Sequence, residues 1–231
     1  MNAPTTRRTS VGAPLRRVDA ADKVSGRAAY VDDLHIPGAL HAALVFPGCA
    51  HAELLGIDAS RAMALPGVRA VVTADDIPGE NQVGVVRPDQ PLLPSERIRY
   101  EGDAVAVVAA ESRAAAREAA ALVDVSVREL PGVFDAVAAM EPDSPTVHAG
   151  GNVFLHDRVR KGDADAGFAD ADVIVERTFR TAHQEHCYLE PLGALAVPEG
   201  RAAMTIYGTM QCPFYVQKAV GRVLGLPLSL V

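Results

Sequence analysis

Reactive side chains are spread unevenly along this sequence, and they concentrate between Thr181 and Phe214. His183-Gln184-Glu185-His186-Cys187-Tyr188-Leu189-Glu190-Pro191 is followed by Thr209-Met210-Gln211-Cys212-Pro213-Phe214, and the whole stretch holds two histidines, three glutamates, two cysteines and two glutamines. Metal-assisted hydrolysis would call on His183 and His186. Helical zinc motifs set their histidines four residues apart so that both face the ion, whereas these are three apart in a segment that continues a β-rich run. On a strand, His183, Glu185 and Cys187 would share one face and His186, Tyr188 and Glu190 the other. Neither set makes a convincing zinc site.

Thiol chemistry would need a paired cysteine and histidine, but Cys187 and His186 are strand neighbours and point to opposite faces. Cys212 stands where a helix is expected to start, which would favour its thiolate, although a small buried cysteine is the plainer reading. Gln211 remains. It sits where a strand passes into a helix, a common place for α/β sites, and its amide can donate or accept a hydrogen bond without bringing charge. The competing reading is a capping glutamine that satisfies the turn.

The elements that must position these residues are aliphatic. In 231 residues, 49% are hydrophobic and only 5% aromatic, with no Trp, so the core is built on Val, Leu, Ile and Ala. A formal net charge of −7 argues against nucleic acid or an anionic membrane as the main partner. Cys49, Cys187 and Cys212 are an odd number without C-x-x-C spacing, which points to a reducing compartment and excludes an iron–sulfur cluster held by this chain alone. Arg7-Arg8 lacks the apolar stretch of an export signal, and no run approaches a membrane span. A soluble, cytoplasmic protein is expected.

Residues 1–16 read as a flexible tail. Strands are expected at Ala39–Phe46, Glu53–Ile57, Val68–Thr73, Val105–Ala109 and Val123–Glu129, and helical segments at Asp58–Leu65 and, capped by Ser112, Arg113–Leu122. His41, among apolar neighbours, reads as a wall residue. Strand, helix and strand from Val105 to Glu129 predict a βαβ unit with parallel strands. Ile77–Glu96 carries six Gly or Pro residues and reads as an excursion that contacts another part of a larger assembly. A first domain at 17–135, a connector at 136–151 and a second unit at 152–231 follow. In the second unit, strands are expected at Val153–Arg160 and Val173–Arg180, with a short helix from Gly162-Asp163 to Phe168. A hairpin at Gly193–Val197 and Ala203–Tyr207 and a helix from Pro213 to about Leu224 complete it.

Arg17-Val18-Asp19-Ala20, Lys23-Val24-Ser25-Gly26, Tyr30-Val31-Asp32-Asp33, Ala50-His51-Ala52, Pro66-Gly67-Val68, Asp76-Ile77-Pro78-Gly79, Arg99-Tyr100-Glu101-Gly102 and Val105–Ala109 occur in an order that resembles the xanthine dehydrogenase/aldehyde oxidase family of molybdenum hydroxylases. The resemblance is to the start of the large, molybdopterin-binding subunit and implies an α+β protein. In that reading an α/β hammerhead domain is followed by the beginning of a molybdopterin-binding α+β domain, marked by Glu185-His186, Leu189-Glu190-Pro191 and Thr209-Met210-Gln211. It implies oxidation of an N-heterocycle such as a purine, or of an aldehyde, with water-derived oxygen. Gln211 would be the cofactor-binding and catalytic residue, its amide beside the molybdenum, with His186 and Glu190 fixing the fold around the pocket. No residue of this chain would ligate the metal.

The family's later glycine-rich loop and general-base glutamate are not in this sequence. The chain is thus expected to form one wall of a molybdenum-molybdopterin site, completed by the remainder of the large subunit or a partner chain. Iron–sulfur clusters and FAD are expected on other modules or subunits. A non-catalytic assembly module, or a truncated fragment without activity of its own, is the alternative.

Overall fold

The computed structural model describes residues 11–200 and 202–231. Residues 1–10 of the expected tail, with Arg7 and Arg8, lie outside them, and residues 11–16 are exposed. A short helix, α1 (Ala20–Val24), precedes a body of two three-stranded sheets. The first sheet has β5 (Ala106–Ala110) at its centre, flanked by β1 (His41–Val45) and β3 (Val68–Val72). The second has β2 (Ala52–Asp58) between β4 (Arg97–Ile98) and β6 (Asp124–Glu129). Every ladder is antiparallel.

The predicted parallel βαβ unit does not form, because β5 and β6 lie in different sheets. Both edges of β5 are already bonded, to β1 and β3, so β6 pairs with the open edge of β2. Its alternation of half-buried valines with exposed Asp124, Ser126 and Arg128 suits an antiparallel strand with one wet face. Between them α3 (Arg113–Ala120) starts as expected, the Ser112 hydroxyl accepting from Ala115 N–H at 3.1 Å. Its buried face is Ala116 and Ala119, small enough to let the helix lie close on β1 and β5. The shorter helical turn α2 (Ser60–Met63) follows β2 and buries Ala62.

The core is aliphatic: Ile98, Val105 and Val108 are fully buried, packed with Val45, Ala52 and Val123. His41 departs from its expected wall position and is exposed on the edge strand β1. The Ile77–Glu96 excursion is ordered by its own side chains. Asn81 accepts from Leu92 and Leu93 N–H and donates to Leu93 O, while the Gln82 carbonyl accepts from Gly84 and Gln90 N–H. Asn152 likewise gathers residues 139–147 by accepting from Val147 N–H and donating to Ala139 O and Pro145 O.

In the following segment α4 (Ala164–Ala169) forms on its Asp163 cap, but the strands expected at Val153–Arg160 and Val173–Arg180 do not. Their side chains are β-branched and aromatic, yet Val159 is 94% and Phe179 88% exposed. Strand propensity expresses packing against neighbours, and none of the described residues supplies a bonding edge here. The hairpin does form, as β7 (Ala194–Glu199) on β8 (Ala203–Gly208), with Gly200 at φ 64° in its turn. Helix α5 (Pro213–Leu224) follows, with proline in its first turn and Gly225 in the left-handed conformation after its last.

Because Ile98 is fully buried in the core cluster, Ile98→Ala should lower stability by about 3 kcal/mol in urea denaturation followed by circular dichroism. The exposed Val175→Ala should change it by less than about 0.5 kcal/mol.

Candidate functional site

Gln211 lies between two features that fix its position. On one side, Thr209 ties the end of β8 to the preceding segment: its N–H donates to Gly193 O at 3.0 Å and its hydroxyl to Pro191 O at 3.0 Å. On the other, Cys212 is the N-cap of α5, and Tyr215 N–H donates to its carbonyl at 3.0 Å. The Gln211 side chain is exposed and makes no hydrogen bond among the described residues, so it does not cap the turn. Its near neighbours in the chain, Met210 and Pro213, though not Gln211 itself, line a cavity of about 390 Å³ together with Phe214, Val216 and Gln217 of α5 and Thr205 and Ile206 of β8. The site therefore combines a free, uncharged amide, the positive end of a helix and a mostly apolar wall.

The histidines and the other cysteine are arranged differently from the strand reading. Residues 183–188 have no strand partner, and Cys187 carries φ 49°, so the alternation of faces does not apply to them. His183, His186 and Cys187 are exposed; the nearest polar contact is Cys187 N–H to the Glu185 carboxylate at 3.4 Å. Glu190 is half-buried just before the Pro191 anchor. Among the described residues no three His, Cys, Asp or Glu side chains come together to hold a metal ion. The polar group that the site does offer is the uncharged Gln211 amide, which can donate and accept hydrogen bonds.

Spacing did not signal His51. It is buried, its Nδ1 bonds Pro131 O at 2.8 Å, and its Nε2 is enclosed without a partner. The clearest electrostatic perturbations also lie elsewhere. Lys23 and then Arg17 hold the Asp19 carboxyl down at about 2, and hydrogen bonds from Ser60 lower that of Asp58. Burial, and secondarily the Glu129 charge, push the Cys49 thiol up.

Residues 25–131 match the family described as aldehyde oxidase and xanthine dehydrogenase, a/b hammerhead domain, and residues 147–231 match the molybdopterin cofactor-binding domain. The chain belongs to the xanthine dehydrogenase/aldehyde oxidase family. It is 36% identical over 211 residues to a probable xanthine dehydrogenase subunit from Bacillus subtilis (strain 168), covering 91% of this chain and 28% of that protein. With the nicotinate dehydrogenase large molybdopterin subunit of Eubacterium barkeri it shares 34% identity over 93% of this chain and 51% of that one. The solved aldehyde oxidoreductase of Desulfovibrio gigas superposes with a TM-score of 0.85 at 33% identity, over 93% of this chain and 25% of that chain. The chain thus spans from about a quarter to about half the length of these relatives. Among the described residues no helix is long and apolar enough to cross a membrane.

Thiol labelling of the chain with iodoacetamide at pH 8 should follow these environments. Exposed Cys187 and Cys212 should react at least ~10-fold faster than Cys49, which is half-buried and whose thiolate burial disfavours.

Proposed function

We propose that the chain, in the cytoplasm, forms one wall of the cofactor pocket of a molybdenum hydroxylase that oxidises an N-heterocycle such as a purine, or an aldehyde, with water-derived oxygen. The observation that carries this reading is the unpartnered Gln211 amide, held between the Thr209 anchors and the start of α5. The relatives' names support the substrate classes, since they include xanthine, nicotinate and aldehyde enzymes. The proposed division is a hammerhead domain at 17–135, a connector at 136–151 and the start of the first molybdopterin-binding domain at 152–231.

In this reading the molybdenum-molybdopterin cofactor supplies two-electron redox chemistry when bound. Gln211 orients it, its Nε2 donating to an acceptor of the cofactor and its Oε1 free to accept from substrate. Met210, Pro213, Phe214 and Val216 offer the bound cofactor an apolar wall next to that amide. His186 and Glu190 serve mainly to fix the fold around the pocket. The rest of the pocket would come from the remainder of the large subunit or a partner chain, and iron–sulfur clusters and FAD would be carried by other modules or subunits.

Gln211→Ala in the molybdenum-loaded enzyme containing this chain should lower kcat by about 10- to 100-fold, the worth of one strong hydrogen bond to the cofactor, with molybdenum content unchanged. Turnover at the wild-type rate would remove Gln211 from the site. The chain purified alone should be inactive and carry no molybdenum; stoichiometric metal by elemental analysis would contradict the one-wall reading.

A further inference from the structure

The excursion between β3 and β4 reaches α5 and completes its C-terminal end. A helix leaves its last carbonyls without intrahelical partners. At α5 the chain turns back through Gly225, at φ 67°. Leu226 N–H then donates to Gly221 O at 2.8 Å and Gly225 N–H to Arg222 O at 3.3 Å. These are the two bonds of a Schellman motif, and they leave over the Val223 and Leu224 carbonyls and a second lone pair on Arg222 O. The excursion takes two of these acceptors: Gly79 N–H donates to Val223 O at 2.9 Å and Glu80 N–H to Arg222 O at 3.0 Å.

The approach is so close that only glycine fits at position 79. A Cβ there would lie 2.1 Å from Arg222 O, 2.8 Å from Val223 O and 2.7 Å from Gly225 N, all backbone atoms that no rotamer change can move. Gly79 has no left-handed φ, so it is needed for room and not for conformational freedom. The Glu80 carboxylate also lies 3.5 Å from Arg222, but the pair is largely exposed and contributes little.

Little else within the described residues ties α5 to the two-sheet body. The one element it packs against closely is the 3-10 turn Leu228–Leu230. A crevice of about 320 Å³ runs between Val220 and Val223 of α5, Ile206 of the hairpin, and Val83 and Leu92 of the excursion. The excursion itself is firmly seated, with Leu93 and Pro94 buried and Asn81 and Gln82 bonded inside it. Twelve helical residues make a rod about 18 Å long, and Gln211 precedes its far end.

We propose that Gly79 and Glu80 form a backbone clamp that fastens the C-terminal end of α5 to the hammerhead domain and, through the rigid helix, positions Gln211. Its link to turnover rests on the reading of Gln211 as the cofactor contact. Gly79 and Glu80 touch neither cofactor nor substrate and are positioning residues.

The test is hydrogen exchange by mass spectrometry, with steady-state kinetics, on the molybdenum-loaded holoenzyme carrying Gly79→Ala, Glu80→Gln, Gln211→Ala, or Gly79→Ala and Gln211→Ala together. Gly79→Ala should raise exchange about 10-fold not only at residues 221–226 but also at 212–216, leaving β5 at the wild-type rate. It should lower kcat by about 10-fold with KM within about two-fold, and it should add no further loss to Gln211→Ala. Glu80→Gln, which keeps its N–H, should match wild type throughout. Unchanged exchange at 212–216 in Gly79→Ala, or an equal kcat loss in the Gln211→Ala background, would overturn the clamp. Should Gln211→Ala prove fully active, the cofactor reading falls, and exchange at 212–216 still decides the clamp. Should Gly79→Ala not assemble, Glu80→Pro, which removes one donor without adding bulk at position 79, is held to the same criteria.

Discussion

A buried or half-buried backbone N–H or C=O must find a partner, and most of this architecture follows from where partners are to be had. Strand β5 has both edges taken by β1 and β3, which sends β6 across to β2 and splits the body into two sheets. The same requirement acts at the end of α5, where carbonyls unpaired within the helix accept from a loop some 140 residues earlier in the chain. It also explains where regular structure stops. Residues 153–160 and 173–180 have strand-forming side chains but no edge among the described residues, and they stay irregular.

The aliphatic composition shapes how the elements meet. With no Trp and few aromatics, layers approach closely through small side chains, Ala116 and Ala119 of α3 over the sheet and Ala52 and Ala106 within the two sheets. Segments too polar or too irregular to join that core are organised by single amide side chains instead. Asn81, Gln82 and Asn152 each satisfy several backbone groups, and this lets long connections be ordered without strands or helices.

The site uses the same economy of charge. Gln211 offers one donor and one acceptor at the start of a helix whose other end is held by the hammerhead excursion. An amide offers the same hydrogen bonds at any ordinary pH, because its own protonation does not change. Exposed His183, His186 and Cys187 contribute no assembled donor set, and the carboxyl shifts at Asp19 and Asp58 belong to local turns far along the chain from Gln211.

Local signals determined the elements. Alternating valines marked β6, Ser112 marked the start of α3, and Pro213 and the Pro198-Glu199-Gly200 run marked α5 and the hairpin, because caps, turns and periodicity act over a few residues. The junction position of Gln211 and the order of family motifs were legible in the same way. Pairing was not. The antiparallel arrangement, the exposure of His41, the burial of His51 and the irregular course of 173–188 each depend on which distant edge or face is available. Gly79 shows the difference most clearly. By sequence it is the second residue of a Pro-Gly turn, but only the tertiary structure brings α5 so near that a single methyl group would collide with its last carbonyls.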